Sequence, residues 1–240
     1  MEGFKELPTA WGSYNYPYYG IMIERAGYRK HVDWIESKIR VPSEKGQREV
    51  RVAQMIKQRY GLRNANIQNR KEIKRYARQL FDIVNQVYGG LYAFSTLTQQ
   101  QVELLIDDFL PLVHPEFVSV VLNEHDEAVG FGVVVPSLSK ALQKARGHMF
   151  PKGWYYLKQA FKSNDVADML LIGVSPSYRQ KGVHALIFEK IIGSLQQRGI
   201  KEVETTRELE DNKSIQQLWE GYETKQHKRS RCYIKQLTTV

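Results

Sequence analysis

Between residues 69 and 88 the apolar positions Ile73, Ala77, Leu80, Phe81 and Val84 recur three and four apart, which predicts a helix, and residues 98–110 repeat that spacing. A shorter rhythm governs FVSVVLN (117–123) and AVGFGVVVPS (128–137). These are β-branched runs joined by the polar EHDE, which predicts an antiparallel hairpin, with Gly130 and Gly132 marking a bulge. ADMLLIGVSP (167–176) is apolar enough for a central strand covered on both faces. Helices are expected near 137–146 and 153–162, and from about 181 to 197, where Val183, Leu186, Ile187, Ile191 and Leu195 form one buried face. KEVETT (201–206) and RCYIKQL (231–237) read as strands, and Asp211 or Asn212 is placed to cap a helix running to about 222. Upstream, REVRVAQMI (48–56) alternates and is expected to be a strand. The pattern describes an α/β (α+β) domain with helices in the crossovers of a twisted sheet.

Ahead of this run, YNYPYYGIMIERAGYRKHVDWIESKI predicts a short helix carrying Tyr18, Ile21 and Met22, stopped by Gly27, then an extended stretch through Val32, Trp34 and Ile35. The polar RVPSEKGQRE (40–49), with Pro42 and Gly46, separates it from the rest of the chain. We therefore expect an N-terminal helix–strand segment at 1–46, too small for a core of its own, and a domain at 47–240.

Composition narrows the function classes. No run approaches the ~18 apolar residues of a membrane helix, the start lacks a leader's basic and apolar regions, and the one cysteine, Cys232, has no internal disulfide partner. A cytoplasmic protein without a membrane partner or metal is expected. The net charge of +9 suits nucleic acid, anionic lipid or a phosphorylated small molecule, because charge steers partners without identifying them. The basic stretches NRKEIKRYAR (69–78) and KQHKRSRCYIK (225–235) match no nucleic-acid-binding module.

The chemistry concentrates in LLIGVSPSYRQKGVHALIFEKII (170–192). A buried strand, a turn and a helix aim several backbone N–H groups and the positive end of the helix dipole at one spot. Pro176 ends the strand, Arg179 and Lys181 add positive charge, and Gly182 lets the backbone approach a bulky anion. GxxxxGK[ST] and GxGxxG are both absent, so neither a P-loop nor a dinucleotide fold is supported.

This stretch resembles the acyl-CoA motif of the GNAT superfamily of N-acyltransferases, V-x-P-x-x-R/Q-x-x-G-x-G/A, with Val174, Pro176, Arg179 and Gly182 at the family's spacing. The resemblance implies acetyl-CoA as co-substrate. The strand backbone at Ile172, Gly173 and Val174 would then pair with the pantetheine arm, and Arg179, Gln180, Lys181, Gly182, Val183 and His184 would hold the pyrophosphate. His184 departs from the family, which has glycine or alanine there. ELEDNKSIQQLWEGYE (208–223) is similar to the segment in which an Asn opens a helix beside the cofactor and a Tyr protonates the leaving thiolate. Asn212 matches, but Trp219 stands at the Tyr position and Tyr222 comes one turn later. YNYPYYGIMIERAGY, with Asn15, Gly27 and Tyr28, also looks like that segment, as if residues 1–46 were the end of another such domain.

The activity so implied is direct acyl transfer, most often acetyl, to a small-molecule or peptide amine. Glu204 is the candidate base and Tyr222 the candidate acid, with a strand N–H at 172–174 polarising the thioester carbonyl. A homodimer is compatible with this reading. The alternatives are a GNAT-like module that binds CoA or a partner without catalysis, and, on the basic surface alone, a nucleic-acid-binding protein.

Overall fold

The computed structural model describes residues 1–44 and 47–237. Lys45 and Gly46, within the expected boundary, lie outside the described residues. In chain order the elements are α1 (Tyr18–Arg25), β1 (Arg29–Arg40), α2 (Gln47–Tyr60), β2 (Arg63–Asn64), α3 (Arg70–Tyr88) and α4 (Gln99–Phe109). Next come β3 (Val118–Leu122), β4 (Ala128–Pro136), α5 (Ser139–Ala145), α6 (Gly153–Lys162), β5 (Val166–Val174) and α7 (Val183–Gln197). The chain ends with β6 (Glu202–Thr205), β7 (Glu208–Leu209), α8 (Lys213–Gln216) and β8 (Thr224–Ile234). The pairings of β1 with β6, β7 and β8, of β2 with β3, and of β3 with β4 are all antiparallel.

The chain divides into two compact units. One comprises Met1–Arg40, Pro136–Asp168 and Glu202–Val240; the other comprises Val41–Val135 and Met169–Lys201. In the first unit β1 is the central strand. Along one edge it pairs with β6 (Ile39 opposite Val203) and β7 (Trp34 opposite Leu209), and along the other with β8 from Arg29 to Ile39. The N-terminal strand is thus hydrogen-bonded on both sides by strands from the C-terminal sixth of the chain.

In the second unit, β2, β3, β4 and the end of β5 are neighbours in that order. All five residues of β3 are buried. Helix α7 packs its apolar stripe on β4 so closely that a Cβ at Gly130 would lie 2.6 Å from Val183 Cγ1, and one at Gly132 would lie 2.6 Å from Ile187 Cγ2. The glycines therefore serve close helix–strand approach, while the register shift of the hairpin falls beside them, between Val121 and Leu122. Capping boxes start α3 (Asn69 with Glu72) and α4 (Thr98 with Gln101), which satisfy first-turn N–H groups where the period begins.

Two expected elements differ. REVRVAQMI lies in α2, not in a strand: Ala53 and Ile56 are buried while Met55 is exposed, so the three-residue spacing of the apolar face outweighs the local alternation at Val50 and Val52. The strand of this region is instead the two-residue β2. The helix expected to reach about 222 is a single turn, α8, followed by a 3-10 turn at Gln217–Trp219.

Candidate functional site

The site-bearing stretch belongs to the second unit. Pro176–Lys181 forms a 3-10 turn, and Gly182 comes next with φ 71° and ψ 21°. That left-handed conformation favours glycine, and a Cβ there would also sit 2.6 Å from Ile56 Cδ1. Helix α7 then begins with no side-chain cap and no acidic residue in its first turn. Its first main-chain bond runs from Ala185 N–H to Gly182 O at 2.9 Å. The N–H groups of Val183 and His184 precede that bond, in the turn where helix geometry provides no acceptor. Arg179 and Gln180 are exposed beside them. Lys181 lies over the Tyr178 ring at 4.1 Å and the Tyr60 ring at 5.8 Å, which fixes its cationic stem by cation–π attraction. An uncapped helix start behind a left-handed glycine, with two cations in the turn before it, is a fit for a phosphate group.

His184 packs edge-on against Phe188, one turn later on α7, with ring centroids 6.3 Å apart. Burial holds its imidazole below the ordinary histidine value and so favours the neutral form.

Strand β5 presents two different edges here. Ser175 N–H donates to Val129 O at 2.9 Å, so the main chain of Ser175, and by alternation that of Gly173, faces β4. The N–H and C=O of Ile172 consequently face the opposite edge. There the Tyr88 hydroxyl donates to Ile172 O at 2.9 Å. Tyr88 is the last residue of α3 and packs edge-on against Phe94. Asn85 pins the intervening loop, its amide donating to Leu97 O at 3.0 Å and its carbonyl accepting from Leu97 N–H at 2.8 Å. Nothing in the sequence pattern singles out Tyr88, because it closes a helix whose spacing signals only packing.

The first unit holds Glu204, Asn212 and Tyr222. Glu204 on β6 is buried and ion-paired to Lys228, with His227 Nε2 3.3 Å from the same oxygen. Lys228 also binds Glu36 Oε2 at 2.9 Å. Although burial opposes ionisation, bonds from His227 and Lys228 hold the Glu204 carboxyl below the usual range. Asp168 on β5 is its opposite. It is fully buried, and among the described residues neither carboxyl oxygen has a hydrogen-bond partner. Burial first, with the charges of Glu204 and Glu36 added, pushes it up to about 7 in spite of Ser137 and Lys228. No motif signals Asp168; a lone aspartate inside an otherwise apolar strand was the one clue.

No family model matches the chain. It is 25% identical over 247 residues to Protein YghO of Escherichia coli (strain K12), covering 99% of this chain and 62% of that protein. A GCN5-related N-acetyltransferase from Sphaerobacter thermophilus superposes with a TM-score of 0.54 at 13% identity, covering 95% of this chain and 57% of that one. A GCN5-related glucosamine N-acetyltransferase region of a fungal multi-domain GH3 beta-N-acetylglucosaminidase gives 0.55 at 11%, covering 90% and 22%. The chain has the GNAT fold. It spans less than two thirds of the length of each of these proteins.

The segment after β6 departs most from the GNAT expectation. Asn212 opens α8 by position, accepting Gln216 N–H at 3.4 Å through its carbonyl, with no side-chain cap. Trp219 is buried, and its indole N–H donates to Glu208 Oε1 at 3.1 Å. Burial pushes the Glu208 carboxyl up to about 7 against that bond. Tyr222 is half-buried beyond the 3-10 turn, its N–H bonded to Trp219 O at 2.9 Å. Among the described residues no helix is long and apolar enough to cross a membrane, and no cluster of His, Cys, Asp and Glu suits a metal ion.

Proposed function

We propose that the chain is an acyl-CoA-dependent N-acyltransferase that moves an acetyl group from acetyl-CoA to an amine by direct attack. The observation that carries this reading is the start of α7: a left-handed Gly182 after a basic 3-10 turn, opening an uncapped helix beside an outward-facing strand edge at Ile172. The N–H groups of Gly182, Val183 and His184, with Arg179 and Gln180, would hold the pyrophosphate, and the Ile172 and Val174 main chain would take the pantetheine arm. Acetyl-CoA, when bound, supplies the acyl group as an activated thioester. The Ile172 N–H is the candidate donor to the thioester carbonyl.

The amine must lose a proton to attack. A carboxylate or a water relay would take it, and Glu204, committed to Lys228 and His227, is the less free to do so. Residues 1–46 we read as resembling the end of a second GNAT-like domain, with their strand β1 built into the sheet of the domain at 47–240 between β6 and β8.

A second reading has its own support: Trp219, anchored to Glu208, stands where the family's thiolate acid is expected, which suits a CoA-binding module without turnover. Calorimetric titration with acetyl-CoA followed by thiol release over a panel of amines separates the two. Micromolar binding with amine-dependent thiol release is expected. Binding without release favours the module, and no binding refutes both.

A further inference from the structure

The GNAT family's thiolate acid is missing from its usual place, yet a tyrosine hydroxyl does stand at the strand edge on which this chain's acyl-transfer reading depends. We propose that Tyr88 is the general acid of the reaction, giving its phenolic proton to the sulfur of CoA as the thioester breaks. This rests on the acyltransferase reading above.

Three observations place Tyr88. Its hydroxyl is 2.9 Å from Ile172 O, hence on the edge of β5 that faces away from β4. Ile172 N–H points to that same edge, so the donor proposed for the thioester carbonyl and the Tyr88 phenol belong to one residue's width of strand. Lastly, the phenol is held in position: Phe94 packs against its ring and the Asn85–Leu97 pair of bonds closes the loop behind it. A side chain needed only for packing on α3 would be served by phenylalanine, which lacks the atom that makes this contact.

In the reaction the amine nitrogen bonds to the acyl carbon and its surplus proton goes to the base. The carbon–sulfur bond breaks with its electron pair on sulfur. The Tyr88 O–H, turned from Ile172 O, delivers its proton there, and water reprotonates the phenolate. The net change is amine plus acetyl-CoA to amide plus CoA thiol, with no redox partner.

The test needs no acceptor. CoA bound to the wild-type protein is titrated by thiolate absorbance, in parallel with Tyr88→Phe, after calorimetry has established saturation of both. A phenol that donates to sulfur stabilises the thiolate, so the bound thiol should titrate about one unit below the ~8.5 of a free thiol in the wild type. In Tyr88→Phe it should return to the free value while CoA affinity changes less than twofold. Equal titration in the two proteins overturns the assignment and leaves the acyltransferase reading intact. Failure of the wild type to bind CoA removes both. Where an amine acceptor is found, kcat should fall 30-fold or more in Tyr88→Phe with KM for acetyl-CoA unchanged; a change confined to KM also overturns the assignment.

Discussion

Asp168 shows how a single buried carboxyl can be costly to the fold. A carboxyl raised from 3.8 to about 7 is protonated in the folded protein across a range where the unfolded chain has already released its proton. Folding then takes up a proton, so between about pH 4 and pH 7 the stability contributed by this residue falls as pH rises, by about 4 kcal/mol at most. Asp168→Asn should therefore raise the thermal midpoint at pH 8 and do so much less at pH 5; equal shifts at both values would show that the carboxyl is not the source. His184 leads to a milder expectation. Its ring rests on Phe188, so His184→Ala should change acetyl-CoA affinity by less than about threefold in calorimetry.

At the scale of elements, legibility in the sequence tracked the length and regularity of each pattern. Helices α3, α4 and α7 and the β3–β4 hairpin carry long or uninterrupted periods, α3 and α4 with capping boxes as well, and they stand where the spacing places them. Alternation over only Val50 and Val52 could not decide α2, because a helix and a strand share such a short pattern. The two-residue β2 and β7 have no period at all, and pairing alone makes them strands. The turn ahead of α7 was legible as a turn because Gly182 is demanded by backbone geometry, whereas Asp168 and Tyr88 owe their interest to burial and to one long-range contact that no local pattern encodes. The extended run after α1 was expected, but its central place was not. Asp33 of β1 is buried and takes Arg231 of β8 in a bidentate pair at 2.7 and 3.0 Å, with Arg229 3.3 Å away. The Arg231 guanidinium holds this carboxyl far below the usual range, so its contribution to stability is complete at neutral pH and is lost only in strong acid. Asp33→Asn leaves Arg231 unmatched and should cost ~3 kcal/mol in denaturant unfolding at pH 7. A loss below about 0.5 kcal/mol would mean that the strand ladder alone secures β1.

For the molecule as a whole, the question is what an excess of 35 basic over 26 acidic residues is for. Much of that charge is already matched within the protein. Lys228, Arg229 and Arg231 in the C-terminal basic stretch are tied to Glu36, Glu204, Asp33 and Glu210, and Lys74 and Arg78 in the other stretch face Asp107 and Glu103 at 3.3 and 2.6 Å. Neither basic run is therefore an unopposed stripe of the kind that tracks a nucleic-acid backbone. The charge that remains beside an uncapped helix is local, at Arg179 and the α7 start, and suits a compact polyphosphate. Acetyl-CoA affinity should accordingly weaken only severalfold between 50 and 500 mM salt, since few ionic contacts are screened. Dephospho- and 4′-phosphopantetheine analogues should separate the sources of that dependence, with loss of the pyrophosphate costing more than loss of the 3′-phosphate. Duplex and single-stranded DNA titrated across the same salt series should show no steep log–log slope. A slope near that of a protein making six or more phosphate contacts would overturn this view of the charge, and would return the basic surface to nucleic acid as its partner.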